Sequence, residues 1–389
     1  MNKNVIGMRC IRCGASLEIG DYLGGCPVCA GEGVGSTVTF DYGDTKPRAV
    51  KGRRGMGRYG ANLPYGEFPT LGEGGTPLIP MDKLAAAYGM KAVYSKNEFQ
   101  NPTGSHKDRM NPLIAARALD LKKETIAVVS SGNEGMSMAA YAAAAGLRCV
   151  VITTKGMSPI WEAAIRATGA EIVFTDTAEG RYRYLQQKVE EEGWYSATST
   201  AIPPVGSCCY GIQGYKTISY ELFEEMGEGL PGYIFVPLSR GDLLWGIFEG
   251  FRELKQNGLI PELPRLAAVD PYPRIDKVMN EGMSWQESFE GDTEYRVSLG
   301  GNTVTYQSYL ALKESNGLAV SVPEEEAVDE VREMAASGCY LEASSAINIG
   351  GLKKLRSLGQ IEDGASAVFI STSSGVKNNQ KCTTRIINQ

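Results

Sequence analysis

The chain has little histidine, no excess of positive charge and no long apolar run. A single histidine, His106, serves all 389 residues, and it stands directly before Lys107. Lysine and arginine total 39 against 45 aspartates and glutamates, a net charge of -6, so no basic field is available to hold nucleic acid non-specifically. The opening "MNKNVIGMRC" contains no apolar stretch of the kind a secretory signal needs. The longest apolar tract, "MSMAAYAAAAGLRCVVITT", carries Arg148 and reads as helix, turn and strand rather than as a membrane span. No internal repeat or low-complexity segment is visible. These absences set the expectation of a soluble, cytoplasmic protein that binds neither nucleic acid nor membrane.

What is present is globular: 43% apolar, 22% charged, with 47 glycines that favour an α/β chain rich in tight turns. The nine cysteines divide unevenly. Cys10, Cys13, Cys26 and Cys29 form C-x2-C-x12-C-x2-C, while the other five are scattered. Residues 1–45 are too short and too Gly-rich to bury a core of their own, and a structural Zn(II) held by four thiolates on paired knuckles supplies the missing stability. A zinc ribbon is therefore expected over 1–45, ahead of a catalytic body over 46–389.

From about residue 90 short β-branched runs alternate with longer amphipathic segments: "IAVVSS", "CVVITT", "EIVFTD", "YIFVPLS", "RLAAVD" and "SAVFIST", with helical stretches between them. Strands bracketed by helices of ten or more residues imply parallel sheets covered on both faces. The fold class is α/β with crossover connections, and functional sites are expected at the carboxyl ends of strands.

The stretch "NPTGSHKDR" (Asn101–Arg109) places a lysine where covalent chemistry is feasible: Pro102 and Gly104 make a turn, and Ser105 is expected to cap a helix that begins at His106. By itself the stretch reads more readily as a solvent-facing lysine paired with Asp108 on a surface helix. Four further stretches give it context. "LGEGGTPL" (Leu71–Leu78), "KNEFQNPTGSHKDR" (Lys96–Arg109), "SSGNEG" (Ser130–Gly135) and "LEASSA" (Leu341–Ala346) occur in an order and spacing that resembles threonine synthase. That family belongs to the fold-type II pyridoxal 5'-phosphate enzymes, whose architecture is like the tryptophan synthase β chain, and its members often begin with a cysteine-rich ribbon.

The resemblance implies two parallel-sheet subdomains, the smaller over about 95–205. It implies that Lys107 is the Schiff-base lysine, that Asn133 hydrogen-bonds the cofactor's phenolic oxygen, and that Ser131, Gly132 and Glu134 belong to the turn receiving the substrate α-carboxylate. Thr372, in "STSSGVKN", matches the residue facing the pyridine nitrogen; the alternative is a strand-end threonine satisfying backbone. Ser239, Arg240 and Gly241, in "VPLSRGDLLWGI", occupy the place of the family's Gly-rich phosphate cup, and Asp242 there repels a dianion unless its side chain turns away. His106 replaces the usual Phe and looks like the histidine of the tryptophan synthase β chain, which lies by the cofactor phosphate; the alternative is that it packs as Phe would. Lys96 stands at a position that contacts substrate phosphate in the family, whereas Gly211 replaces the family's phosphate-binding arginine and Glu134 replaces a threonine.

The resemblance thus implies a PLP-dependent elimination or replacement at the β or γ carbon of a small amino acid, threonine synthase-like, releasing phosphate from an O-phospho amino acid, in a homo-oligomer that is dimeric by family likeness. Cysteate synthase-type replacement on O-phosphoserine and a serine/threonine dehydratase-type ammonia-lyase are the enzymatic alternatives. A ribbon-bearing pseudoenzyme that binds through residues 1–60, where "KPRAVKGRR" is locally basic, is the non-enzymatic one.

Overall fold

The computed structural model describes residues 1–388, which divide into two compact units: Met1–Gly75 with Asn101–Thr217, and Thr76–Gln100 with the described residues from Ile218 onward. Among the described residues, no helix is long and apolar enough to cross a membrane.

The first unit is built on a four-stranded parallel sheet, ordered Glu171–Thr175, Arg148–Thr154, Thr125–Val129, Tyr195–Ser196. The runs "TIAVV" and "RCVVITT" are apolar almost throughout because helices cover a parallel sheet on both faces. Ala127, Val150 and Ile152 pack with Leu185 of helix Ala178–Glu192 and with Trp194 to form the core on one face. Residues 1–45 add a three-stranded antiparallel sheet in which Val5–Cys10 is central. This ribbon is tied to the same unit by polar contacts. Arg117 donates to Asp21 at 2.7 Å, Leu23 O accepts from Ser199 Oγ at 2.7 Å, and Tyr42 OH donates to Gln213 at 3.0 Å.

The second unit holds a six-stranded sheet, ordered Leu318–Ser321, Arg265–Asp270, Tyr233–Pro237, Ser366–Ile370, Ala92–Lys96, Leu78–Pro80. Only the last strand is antiparallel, and it ends in Pro80 at the sheet edge, where the missing amide donor is tolerated. Phe235 and Phe369 meet edge to face at 5.2 Å beneath helix Ala343–Ser357, which contributes Ile347, Ile349 and Leu352 to the core. Two arginines are buried here with their own counter-ions, Arg274 on Asp270 at 2.6 Å and Arg296 on Glu330 at 2.6 Å.

The expected strands and helices of both sheets form, so the α/β class is observed. The turn around Lys107 is different. His106–Arg109 is a single 3-10 turn, and the α-helix begins only at Asn111, with Pro112 in its first turn. Ser105 makes no side-chain cap, and its Oγ is buried with no hydrogen-bond partner among the described residues. Asp108 is the reason: it accepts from the Thr103 amide and the Thr103 hydroxyl, each at 2.6 Å, so the loop closes on Asp108 and not on Ser105.

Candidate active site

In the first unit the loop bearing Lys107 is pinned from within. Asp108 is fully buried and takes a third hydrogen bond, from Ser137 Oγ at 2.6 Å, which fastens the loop to helix Asn133–Ala145. Arg109 donates to Thr217 Oγ1 at 2.8 Å. With its neighbours locked, Lys107 keeps a partly exposed side chain, and its Nζ stands 3.2 Å from Glu134 Oε2. His106 lies against Tyr215, ring centroids 5.6 Å apart.

The turn Ser131–Glu134 leaves strand Thr125–Val129 and opens helix Asn133–Ala145, whose amides and dipole favour an anion. Ser130 Oγ accepts from the amides of Gly132 and Gly135, and Ser131 Oγ pairs with Thr153 Oγ1 at 2.9 Å. A Cβ at Gly132 would stand 2.9 Å from the Trp161 ring, so close approach demands glycine there. Arg181 Nη1 reaches Ser131 Oγ at 3.5 Å. Deeper in the helix Tyr141 donates to Glu73 at 2.8 Å; burial, then the charges of Asp108 and Glu73, push its phenol far up, so it donates as a neutral group. Gly211 is closed in by Met110 and by Ile114, whose carbons would lie 2.9 Å from an added Cβ. No larger side chain fits at 211 without repacking.

In the second unit the segment Ser239–Asp242 leaves strand Tyr233–Pro237 and opens the helix Asp242–Gln256. Gly241 caps that helix at φ +76, and a Cβ there would be driven into Ser308 Oγ. Asp242 does not repel an anion at this turn by pointing outward: it is buried, and its Oδ1 accepts from Gln307 Nε2 at 2.7 Å. Gln307 and Thr305 also donate to Arg240 O, each at 2.8 Å. Thr372 follows strand Ser366–Ile370, is buried, and donates its amide to Ser345 Oγ at 2.7 Å. Lys96, at the end of strand Ala92–Lys96, is wholly buried. Its ammonium meets Thr76 O at 2.7 Å, Glu225 at 2.8 Å and Glu221 at 3.0 Å, three acceptors for three N–H donors.

The four ribbon cysteines converge, all sulfurs lying within 4.8 Å of one another. Cys10 and Cys29 are 3.5 Å apart, Cys13 and Cys26 3.8 Å. Four sulfurs each ~2.3 Å from a shared tetrahedral ion stand about 3.8 Å apart, so the donor set fits zinc. The knuckle amides of Arg12 and Cys13 point at Cys10 Sγ, at 3.4 and 3.5 Å. Burial raises the Cys10 thiol, but hydrogen bonds with Ser36 and from these amides outweigh it and bring it down to about 7, which favours a thiolate ligand.

Several residues that organise these sites carry no sequence signal of their own. Asn111 contacts Glu134, Gln307 and Ser308 shape the 239–242 turn, and Glu221 and Glu225 reach Lys96 from a distant helix.

A partly exposed lysine on a pinned loop beside a helix start whose amides and dipole favour an anion is a donor set suited to a phosphorylated aldehyde cofactor. The chain belongs to the pyridoxal-phosphate dependent enzyme family, whose pattern matches residues 69–373. More particularly, it is threonine synthase-like. It is 30% identical over 389 residues to the threonine synthase of Methanocaldococcus jannaschii, covering 95% of this chain and 92% of that one. It is 29% identical over 385 residues to that of Methanosarcina acetivorans, covering 96% and 92%. Among solved structures the L-serine ammonia-lyase of Rhizomucor miehei superposes with a TM-score of 0.68 at 18% identity, over 81% of this chain and 98% of that one. Maize serine racemase gives 0.66 at 18%, over 80% and 91%. The fold is therefore fold-type II, and the chain is an enzyme of the lyase or synthase type that uses pyridoxal phosphate.

Proposed function

We propose that the chain eliminates or replaces a β or γ substituent of a small amino acid, with Lys107 as the residue that carries the cofactor and moves the substrate's α-proton. The single observation that supports this most strongly is the Lys107 amine, partly exposed on a loop whose other charged groups, Asp108 and Arg109, are buried and committed elsewhere. Pyridoxal phosphate, when bound, supplies the electron sink that makes the α-proton removable. This chain's residues bind and orient. In the first unit we assign Asn133 to the cofactor's phenolic oxygen, the turn of Ser131, Gly132 and Glu134 to the substrate carboxylate, and His106 to the cofactor phosphate. In the second we assign Ser239, Arg240 and Gly241 to that phosphate and Thr372 to the ring nitrogen. The helix starts behind both turns supply amides and dipoles of the right sign. Cys10, Cys13, Cys26 and Cys29 hold a structural Zn(II), since four thiolates leave no open position for substrate.

The relatives named above are threonine synthases, and release of phosphate from an O-phospho amino acid is the reading their likeness supports. Two features weigh against an ordinary O-phosphohomoserine grip: Gly211 is sealed by packing, and the Lys96 ammonium is filled by protein acceptors. We therefore place preference away from O-phosphohomoserine, toward a shorter substrate such as O-phosphoserine, with water or sulfite as acceptor. The test joins site and substrate. Hydride reduction of purified protein should leave the cofactor on Lys107 by mass spectrometry, Lys107→Ala should lose both adduct and turnover, and kcat/KM should favour O-phosphoserine. An adduct on another lysine overturns the site. Committed threonine production from O-phosphohomoserine with inert O-phosphoserine overturns the substrate shift.

A further inference from the structure

Glu134 occupies a place where a carboxylate is at odds with its surroundings. Its backbone belongs to the turn assigned to a substrate carboxylate, and a second negative charge there weakens anion binding unless a cation neutralises it. The cation is Lys107. Glu134 Oε2 is 3.2 Å from Lys107 Nζ, and the two side chains retain 16% and 21% exposure, enough shelter for the pair to be only partly screened by water. The geometry is held from behind. Asn111 is fully buried, its carbonyl oxygen accepts from the Met138 amide at 3.2 Å, and this fixes its amide nitrogen toward Glu134 Oε1 at 2.9 Å. One carboxylate oxygen is anchored, and the other faces the lysine.

The remaining charged groups near Lys107 are committed. On its own turn Asp108 takes Thr103 and Ser137, Arg109 donates to Thr217, and His106 packs on Tyr215. Helix Asn111–Asp120 offers Arg117, which is bonded to Asp21, and helix Asn133–Ala145 offers, besides Glu134, Tyr141 on Glu73. Among the described residues Glu134 is the carboxylate within ion-pair distance of the Lys107 amine.

We propose that Glu134 is the counter-ion that sets the proton affinity of Lys107, a positioning residue that acts through the lysine and not on the substrate. This rests on the reading of Lys107 as the cofactor-carrying residue. When the free amine takes the α-proton, the C–H electron pair stays on carbon, the proton forms the third N–H of Lys107, and the new ammonium rests against Glu134. The carboxylate thus makes Lys107 the stronger base, and the proton stays on Nζ for return to substrate or leaving group. The anchoring by Asn111 keeps Glu134 from turning into the carboxylate turn.

Two readouts other than turnover test this on the full-length protein. With the cofactor stripped, the pH dependence of Lys107 acylation, followed by peptide mass spectrometry, gives a midpoint for each variant and for the wild type. Glu134→Gln, which keeps the size and the Asn111 contact, should lower that midpoint by about one unit or more, a roughly tenfold gain in labelling near neutral pH. Glu134→Asp should fall between them. With the cofactor loaded, the pH at which the visible absorption band changes should move the same way. Superimposable profiles for wild type and Glu134→Gln overturn the proposal. A Glu134→Gln or Glu134→Asp midpoint above that of the wild type overturns it too. Cofactor trapped on another lysine would instead overturn the site reading, whereas an adduct on Lys107 with unshifted profiles leaves that reading standing and removes only the role of Glu134.

Discussion

Lys96 shows how far the surroundings of one side chain can redirect it. Its position matches a phosphate-contacting lysine by likeness to threonine synthase, yet its ammonium is buried against Glu221, Glu225 and Thr76 O. Taking Lys96 and Glu221 out of water is expensive, and the cluster persists because each charge satisfies another. Removing only the lysine strands Glu221, which is 2% exposed, in a site that cannot hydrate it. Lys96→Ala should therefore cost about 3–5 kcal/mol of stability, read as a large fall in Tm or in the denaturant midpoint. If the variant keeps its Tm and only its KM for a phosphorylated substrate rises, Lys96 is a substrate ligand and the cluster is incidental. Gln at both 221 and 225 beside Met at 96 should recover most of the loss, because the burial penalty disappears with the charges.

At the scale of elements, buried ion pairs in the second unit tie helices to loops and make stability depend on pH. Arg296 bridges Glu330 on helix Ala327–Ala336 and Glu324 just before it. Burial pushes the Glu330 carboxyl up to about 7 from an ordinary 4.5, although Arg296 pulls it down. The folded chain thus binds the Glu330 proton more tightly than the unfolded chain does. The stabilisation this gives is complete below about 4.5 and is lost as pH rises through about 7. Subtracting Glu330→Gln from wild type should expose that slope: the difference in unfolding free energy becomes less favourable to wild type from pH 4.5 to 7 and flattens above. A difference that grows with pH over that window would show that Arg296 governs the pair.

The same scale shows what the sequence made legible. Runs such as "YIFVP" and "RLAAVD" are apolar enough to announce buried parallel strands, and Pro102 and Gly104 announced the turn before Lys107. Strand "AVYSK" did not, because its alternation is broken and it ends in a lysine whose burial depends on glutamates from a distant helix. The helix expected from His106 became a 3-10 turn because Asp108 captured Thr103, a tertiary choice that local capping patterns do not encode. Contact between Glu134 and Lys107 was invisible for the same reason, since the two residues lie on separate elements brought together by packing.

For the whole molecule, the ribbon is woven into the first unit rather than appended to it. Asp21, Leu23 and Tyr42 contact Arg117, Tyr195, Ser199, Thr200 and Gln213 of the same unit. Loss of metal from the four cysteines should therefore be felt beyond residue 45. Protein purified without chelator should carry one zinc per chain, and stripping it should raise hydrogen–deuterium exchange both in residues 1–45 and in 195–215, with strands Tyr233–Pro237 and Arg265–Asp270 of the second unit unchanged. Exchange confined to 1–45 would show that the ribbon folds and melts alone.

The packing around Gly211 also dictates the order in which substitutions can accumulate. An arginine introduced first collides with Met110 and Ile114, and overpacking of this kind costs ~1–3 kcal/mol or more. Trimming those two side chains first leaves a void worth about 2–5 kcal/mol before the arginine contributes anything. Both routes descend through an intermediate with no gain in substrate binding, so the glycine works as an evolutionary ratchet. A lineage or a laboratory that seeks the arginine-bearing form has to change positions 110, 114 and 211 together.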